Sequence, residues 1–236
     1  SPPREGGYSF ADPGVVDIST NDLPVAALVA GELPKEHVFL YCHGTSETMM
    51  SATNRFRCLD GKDCAIVTVD YPGYGMSGGS PSEHGCYRNV NVLYDWLVHE
   101  KAVNPTNITV VGYSIGTGPA IELATTHSVG GLILEAPFLS VARIWPGRTF
   151  NLHSPIFFHD PFRNDKKVKR LKIPCVVIHG MKDSIVPYDG GRRLYDLIPH
   201  KRKRFVSVAE ADHADLVDKI DRDEYLRILL DVGNLP

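Results

Sequence analysis

Short runs of Val, Ile and Leu recur along the chain, separated by segments in which apolar and polar residues mix. Seven such runs occupy residues 25–29, 37–42, 64–69, 108–112, 131–135, 174–180 and 204–208. A continuous apolar run is typical of a strand that is covered on both faces, as in a parallel sheet between layers of helices. The pattern therefore predicts seven buried strands.

Helical patterns fill the gaps between these runs, at about residues 85–100, 115–127, 188–198 and 214–231. Alternating strands and helices predict an α/β fold whose central sheet is mostly parallel and carries helices on both faces. Residues of about 136–172 break this rhythm, because the interval is too long for a simple crossover and is rich in Pro and Phe. We interpret it as a short insertion over the strand ends.

The composition is that of a globular protein. The 236 residues suit one domain with a single large core, and we expect residues 1–236 to form it. A net charge of -3 gives no general attraction to nucleic acid, so we expect no nucleic-acid partner. No apolar run approaches the ~20 residues of a membrane-spanning helix. The basic runs at 166–170 and 201–204 are interpreted as solvated surface, with contact to anionic lipid as the alternative.

The five cysteines are an odd number and lack the paired spacing of metal ligands. Cys42 and Cys175 lie inside predicted strands. This usage favours a reducing compartment and therefore a cytoplasmic location. It also predicts no metal site.

Candidate chemistry begins at Ser114, in the stretch "GYSIG" at 112–116. This G-x-S-x-G motif follows a predicted strand and precedes a predicted helix, the context of a nucleophile on a sharp turn. Glycine suits the crowded positions two residues before and after such a serine. The alternative is an ordinary turn in which the serine caps the helix.

A serine hydroxyl needs a base to take its proton and an acid to orient that base. Asp183 follows the predicted strand at 174–180, and His213 follows the one at 204–208. The chain order Ser, Asp, His is known from hydrolases that carry this strand-to-helix turn. We predict that these three residues are catalytic, with Glu135, which also ends a predicted strand, as the alternative acid.

A developing oxyanion needs N–H donors. Ile115 lies at the start of the predicted helix, and Thr45 follows Gly44 in the loop after the strand at 37–42. We predict Thr45 and Ile115 as the oxyanion-hole residues. For Thr45 the alternative is a tight turn without catalytic use.

The predicted insertion carries many large apolar residues, as a groove for an acyl chain would require. We predict six substrate-binding residues in it: Phe138, Leu139, Ile144, Trp145, Phe157 and Phe158. The alternative is a lid that packs on its own core.

Taken together, these motifs resemble the α/β-hydrolase superfamily, and within it the group of alpha/beta hydrolase domain-containing protein 17. The resemblance covers about residues 38–216 and rests on "HG" (43–44), "DYPGYGMSGGSPSE" (70–83), "GYSIGTGPA" (112–120), "EAPFLSVAR" (135–143) and "HGMKDSIVP" (179–187). It implies an α/β-hydrolase fold and a serine hydrolase that needs no metal or other cofactor. The family's nucleophile, acid and base fall on Ser114, Asp183 and His213, and its oxyanion donors fall on Thr45 and Ile115.

The resemblance also implies a reaction, the cleavage of acyl esters or acyl thioesters through an acyl-enzyme. Enzymes of the group remove palmitoyl chains from membrane proteins, so an S-acylated protein is the implied partner. Serine peptidases and lysophospholipases on the same three residues remain alternatives, as does a catalytically silent protein that only binds.

Two features depart from the group. Its members carry a palmitoylated, cysteine-rich amino terminus that holds them on membranes, whereas "SPPREGGYSF" has no cysteine. We expect either a trimmed segment, which would give the full-length protein its membrane contact, or a soluble relative. In addition, Asp212 stands where the group usually has glycine before its histidine.

Overall fold

One sheet of eight strands organises the protein. The computed structural model describes residues 7–20, 23–144 and 162–235. The strands are β1 (Val15–Asp17), β2 (Ala26–Ala30), β3 (Val38–Cys42), β4 (Ala65–Val69), β5 (Ile108–Tyr113), β6 (Gly131–Glu135), β7 (Cys175–Gly180) and β8 (Lys203–Val208). Their order across the sheet is β1-β2-β4-β3-β5-β6-β7-β8.

The sheet is mostly parallel, and this prediction from the sequence is confirmed. Every neighbouring pair from β4 to β8 is parallel, whereas β2 pairs antiparallel with both β1 and β4. The sequence did not predict β1, because three residues are too few to show a period. This strand forms by pairing, with Val15 opposite Leu28 of β2.

Three of the four predicted helices lie close to their expected positions, and the fourth is divided. The helices are α1 (Ser51–Arg55), α2 (Glu83–Asp95), α3 (Thr117–Thr126), α4 (Val141–Ile144), α5 (Asn164–Lys167), α6 (Tyr188–Asp196), α7 (Leu216–Lys219) and α8 (Arg222–Asp231). Three short helices, α1, α4 and α5, were not predicted. A π-helical turn, Trp96–Glu100, follows α2. The single helix predicted at 214–231 is instead the pair α7 and α8. Asp221 separates them, because its carboxylate accepts the Glu224 N–H and so begins a new helix.

Successive residues of the central strands enter two apolar cores, one on each face of the sheet. In β3, Leu40 belongs to the core that includes residues of α2 and α3. Its neighbour Tyr41 belongs to the core that includes residues of α1 and α8. Helices therefore cover both faces, which explains why the strand sequences are continuously apolar.

The predicted insertion between β6 and β7 has its two described ends joined to each other by hydrogen bonds. Asn164 Nδ2 donates to the Phe138 carbonyl at 3.1 Å, and the Asp165 N–H donates to the Leu139 carbonyl at 2.8 Å. Both α4 and α5 therefore lie near the carboxyl ends of the parallel strands, the edge at which α/β proteins bind ligands.

The central strands should dominate stability. Ile133→Ala is expected to lower the free energy of unfolding by about 2–5 kcal/mol, because the Ile133 side chain is fully buried in β6 and its loss leaves a cavity. Ile66→Ala removes the same atoms from β4, where the side chain is only partly buried, and should cost about 1 kcal/mol. Urea unfolding followed by circular dichroism measures both. Equal losses would contradict this account of the core.

Candidate active site

Ser114 lies on a sharp turn between β5 and α3. The strand ends at Tyr113, and a single 3₁₀ turn, Ser114–Gly116, leads into the helix. The φ angle of Ser114 is +53°, in the left-handed region that is unfavourable for a residue with a side chain. The turn leaves Ser114 on the wall of a surface cavity.

Two glycines allow the backbone to pack this closely. A Cβ on Gly116 would overlap the carbonyl oxygen of Cys42 at the end of β3. A Cβ on Gly112 would lie 2.6 Å from the Cβ of Ala120 in α3. The spacing of the G-x-S-x-G motif is therefore required by the packing of this turn against β3 and α3.

The structure brings Ser114, His213 and Asp183 into one hydrogen-bonded array. His213 Nε2 lies 2.9 Å from Ser114 Oγ, and His213 Nδ1 lies 2.8 Å from Asp183 Oδ2. Because a carboxylate only accepts, we assign the imidazole proton to Nδ1, which leaves Nε2 as the acceptor for the serine hydroxyl. The Asp183 side chain is fully buried, whereas His213 keeps 12% of its side chain exposed.

The loop after β7 surrounds the Asp183 carboxylate with donors. Its Oδ1 accepts the N–H groups of Ile185 at 2.9 Å and Val186 at 2.7 Å, and His179 Nε2 lies 3.4 Å from Oδ2. Burial acts to raise the Asp183 pKa, but hydrogen bonds from His179, His213 and the Val186 N–H outweigh burial and hold that pKa well below its usual range. The carboxylate therefore stays ionised at neutral pH.

Glu135, the alternative acid, has other partners. It is fully buried at the end of β6. Arg55 donates to its Oε2 from Nε at 2.8 Å and also from Nη2, and the Tyr225 hydroxyl donates to its Oε1 at 2.6 Å. Both carboxylate oxygens are thus engaged, and of the two candidates it is Asp183 that contacts the imidazole.

Tyr113 connects this buried ion pair to the loop that carries the imidazole. Its hydroxyl donates to the His213 carbonyl at 2.8 Å, and the centroids of the two rings are 5.2 Å apart. The guanidinium carbon of Arg55 lies 4.1 Å from the centroid of the Tyr113 ring, which is a cation–π distance. Arg55 therefore stabilises the position of His213 through Tyr113.

Asp212 ties the loop of His213 to the loop of Asp183. Its Oδ1 accepts the Ser184 N–H at 2.7 Å, the Ser184 hydroxyl at 2.9 Å and the His213 N–H at 2.6 Å. The bond from the Ser184 N–H, followed by that from the His213 N–H, lowers the Asp212 pKa. Glycine has no side chain to make these contacts. The departure from the group's usual glycine thus adds a link between the two loops.

A cavity of about 570 Å³ opens at Ser114, and we call it the Ser114 cavity. It is lined by Thr45, Ser46, Glu47, Arg55, Tyr113, Ser114, Ile115, Phe138, Ile144, Ser184, Ile185, Val186, Asp212, His213 and Ala214. Of the six predicted substrate-binding residues, Phe138 and Ile144 thus line it. Leu139 is buried and borders neighbouring surface pockets instead. The other three, Trp145, Phe157 and Phe158, lie outside the described residues.

Thr45 and Ile115, the predicted oxyanion-hole residues, both line this cavity. Glu47 fixes the loop that carries Thr45, because its Oε2 accepts the Gly44 N–H at 2.6 Å and the Tyr41 hydroxyl at 2.8 Å. Ile115 lies in the first turn of the helical segment, where N–H groups lack intrahelical acceptors. The two residues are therefore suitably positioned to offer N–H groups to an anion.

The sequence pattern did not identify Glu47, Arg55 or Ile185 as part of the cavity. The position of Arg55 depends on its ion pair with Glu135, a residue 80 positions away, so no local pattern signals it. Ile185 is 41% exposed, and a single apolar residue in a loop carries no signal by itself. Tyr113 did have a sequence signal, since it occupies the position immediately before the serine of the G-x-S-x-G motif.

No group of His, Cys, Asp and Glu in residues 7–20, 23–144 and 162–235 is arranged to hold a metal ion. Within the same three ranges, no helix combines the length and the apolar character needed to cross a membrane. None of the five cysteines, all of which lie in the described ranges, forms a disulfide.

The fold and the array of Ser114, His213 and Asp183 are typical of one class of protein. Comparison with known sequences identifies that class. The sequence pattern of the alpha/beta hydrolase family matches residues 38–226, most of the chain. The chain therefore belongs to the alpha/beta hydrolase family.

Individual relatives agree with this assignment. The alpha/beta hydrolase domain-containing protein aho-3 of Caenorhabditis elegans is 32% identical over 178 residues, which cover 74% of this chain and 52% of that protein. Human alpha/beta hydrolase domain-containing protein 17C is 29% identical over 164 residues, 69% of this chain and 49% of that protein. The chain thus spans about half the length of these curated relatives. An esterase from Pyrococcus furiosus superposes with a TM-score of 0.78 at 16% identity, over 98% of this chain and 96% of the esterase, which confirms the fold.

Tyr113→Phe removes the hydroxyl that donates to the His213 carbonyl and keeps the ring. We expect kcat for p-nitrophenyl acetate to fall about tenfold. The His213 loop loses a hydrogen bond that positions it, and a small displacement of the imidazole lowers the reaction rate. The free energy of unfolding should fall by about 1 kcal/mol.

The matched control is Tyr94→Phe, which removes an equivalent 2.8 Å bond from a tyrosine hydroxyl to the Ser128 carbonyl. It should lower stability by a similar amount and leave kcat unchanged. Equal effects of the two variants on kcat would refute the positioning role of Tyr113.

Proposed function

We propose that this protein is a serine hydrolase that cleaves acyl esters or acyl thioesters through an acyl-enzyme, with S-acylated proteins among its substrates. One observation carries the proposal. His213 lies between Ser114 Oγ and the Asp183 carboxylate, at hydrogen-bond distances of 2.9 Å and 2.8 Å. In such an array the serine is the nucleophile, the histidine the general base and the aspartate the group that orients the histidine.

In acylation, Ser114 Oγ attacks the substrate carbonyl carbon while its proton passes to His213 Nε2. The carbonyl electron pair moves to oxygen, and the N–H groups of Thr45 and Ile115 stabilise the oxyanion. The ionised Asp183 stabilises the imidazolium. The intermediate then collapses, the bond to the alcohol or thiol breaks, and the leaving group takes the proton from His213.

In deacylation, water attacks the acyl carbon of the ester on Ser114 and gives its proton to His213. The second tetrahedral intermediate expels Ser114 Oγ, which recovers that proton, and the carboxylic acid leaves. A thiolate is a better leaving group than an alkoxide and needs less protonation, so the same array suits thioesters.

The shape and chemistry of the Ser114 cavity support an acyl substrate. Phe138, Ile144 and Val186 give it an apolar wall, and Ile185 adds apolar surface that is exposed. Concave, largely apolar sites with few polar groups are typical of small-molecule binding. The resemblance to the group of alpha/beta hydrolase domain-containing protein 17 favours S-acylated proteins as the source of the acyl chain.

The roles of the array are tested by removing its members. Ser114→Ala should lose labelling by a fluorophosphonate probe, and kcat for p-nitrophenyl acetate should fall by orders of magnitude because the nucleophile is absent. Ser128→Ala changes an exposed serine and should retain both. Labelling that persists in Ser114→Ala would refute the nucleophile.

The same assay distinguishes the two acids. Asp183→Asn should lower kcat by about 10³–10⁴, because an amide favours the wrong imidazole tautomer. Glu135→Gln should lower the free energy of unfolding and should reduce kcat far less than Asp183→Asn does, since it removes the nearer of the two carboxylates that pair with the Arg55 guanidinium. The opposite ranking of kcat values would move the acid to Glu135.

The acyl preference is tested with thioesters of one thiol whose acyl chain lengthens from acetyl to palmitoyl. Each buried methylene contributes about 0.8 kcal/mol, so kcat/KM should rise several-fold for each added pair of carbons until the cavity is full. Ile144→Ala should flatten this rise, because Ile144 lines the cavity. Ile66→Ala removes the same atoms outside the cavity and should leave the slope unchanged. A flat series in the wild type would favour a short-chain esterase or a peptidase.

A further inference from the structure

A second concave surface, which we call the basic pocket, has a volume of about 480 Å³. Its lining includes five basic side chains, Arg143, Arg163, Lys166, Lys169 and Arg193. Two carboxylates and two leucines complete it. Five cations against two carboxylates leave three positive charges in excess.

Most of this charge is uncompensated. Arg163 is neutralised by Asp165 in a bidentate pair, with Nε to Oδ1 and Nη2 to Oδ2 both at 2.8 Å. In the part of the chain that the structure describes, the other four basic residues have no carboxylate within ion-pairing distance. The second carboxylate of the pocket, Asp196, forms no ion pair within those residues either.

Lys166 and Lys169 come from the basic run at 166–170, and the fold brings Arg143 and Arg193 to the same pocket. Arg143 lies in α4, Lys166 in α5, Lys169 in the 3₁₀ turn that follows α5, and Arg193 in α6. The hydrogen bond from the Asp165 N–H to the Leu139 carbonyl fastens two of these walls together. Like charges held close in a concave surface repel one another, and a bound anion relieves that repulsion.

The basic pocket and the Ser114 cavity are separate, but both share lining residues with a third pocket. This third pocket, which we call the middle pocket, has a volume of about 450 Å³. It shares Phe138, Ile144 and Val186 with the Ser114 cavity, and it shares Arg143 and Arg193, together with Leu139, with the basic pocket. A molecule whose acyl carbon lies at Ser114 would reach the cations along these shared walls, past Asp189, which also lines the middle pocket.

We propose that the basic pocket binds a phosphate group that accompanies the acyl group of the substrate. Arginine forks and lysine ammonium groups are the side chains that bind phosphate oxygens, and two sources present this anion next to an acyl chain. One is a phosphorylated leaving group, as in an acyl thioester of coenzyme A. The other is a phospholipid headgroup beside an S-acylated substrate on a membrane surface. The inference rests on the proposed function.

The first arm of the test uses two soluble thioesters with the same octanoyl chain, one of coenzyme A and one of uncharged N-acetylcysteamine. In Lys166→Gln/Lys169→Gln, the ratio of kcat/KM for the coenzyme A ester to that for the uncharged ester should fall at least tenfold, since contacts to a charged group are lost. The control is Lys62→Gln/Lys219→Gln, two exposed lysines outside the pocket, and it should keep the wild-type ratio.

The second arm measures sedimentation with phosphatidylcholine vesicles that contain or lack phosphatidic acid, using Ser114→Ala protein so that no turnover occurs. If the headgroup is the source, binding depends on phosphatidic acid, Lys166→Gln/Lys169→Gln weakens it at least tenfold, and the control pair does not. The coenzyme A ratio is then insensitive to the pocket variant.

A third measurement is independent of catalysis. Inorganic pyrophosphate should bind Ser114→Ala protein in calorimetry, and the pocket substitutions should weaken this binding. The proposal is overturned if pyrophosphate does not bind, or if the pocket and control pairs behave alike in all three measurements. Failure of the proposed function can be distinguished from failure of this proposal. If the proposed function is wrong, wild-type protein hydrolyses neither thioester, and pyrophosphate binding still tests the pocket.

Discussion

The left-handed backbone of Ser114 is the constraint on which the rest of the site depends. A φ angle of +53° in a residue with a side chain costs about 1–3 kcal/mol and persists only where the surroundings enforce it. Here the enforcement comes from the close packing of Gly112 and Gly116 against α3 and β3. Because the serine is fixed at the end of β5, its partners must reach it from β7 and β8. Strands are about 4.8 Å apart, so these loops span roughly 10–14 Å, and the bonds made by Asp212 hold them together.

The buried pair of Arg55 and Glu135 supports both flanks of this site. Burying two charges is costly, and such pairs often add little net stability compared with apolar residues. The contacts that this ion pair makes with neighbouring loops explain its presence better than a contribution to stability does. The guanidinium contacts the Tyr113 ring, which holds the His213 loop, and its Nη1 lies 3.7 Å from Glu47, which holds the loop of the predicted oxyanion donor. We infer that one buried cation sets the relative positions of two loops that belong to different strands.

The sequence predicted what depends on short-range patterns. Seven apolar runs correspond to β2 through β8, because burial on both faces leaves a continuous apolar signal. Ser114, Asp183 and His213, which the structure brings into one hydrogen-bonded array, could be proposed because each follows a recognisable strand. What depends on pairing between distant segments was missed. β1 is too short to show a pattern of its own and forms only by pairing with β2. The position of Arg55 depends on its ion pair with Glu135. The carboxylate of Asp221 caps a new helix and so divides a segment that periodicity predicts as one helix. Side-chain direction was also beyond the pattern, since Ile144 lines the Ser114 cavity whereas Leu139 does not.

The order of the strands gives the Ser114 cavity two unlike flanks. β3 lies on one side of β5, and the loop that follows it contributes the polar residues Thr45, Ser46 and Glu47. β6 and β7 lie on the other side, and the segments that follow them contribute mostly apolar residues, with Ser184 as the polar one. An acyl carbon held at Ser114, with its oxygen toward the polar flank, leaves the apolar flank for hydrocarbon. That flank also shares Phe138, Ile144 and Val186 with the middle pocket, which in turn shares Arg143 and Arg193 with the basic pocket. The strand order thus separates the predicted N–H donor of Thr45 from the apolar wall. It also places the phosphate group that we propose on the same side as the hydrocarbon. An amphiphile has this arrangement, whether its apolar and anionic parts are joined in one molecule or meet at one membrane surface.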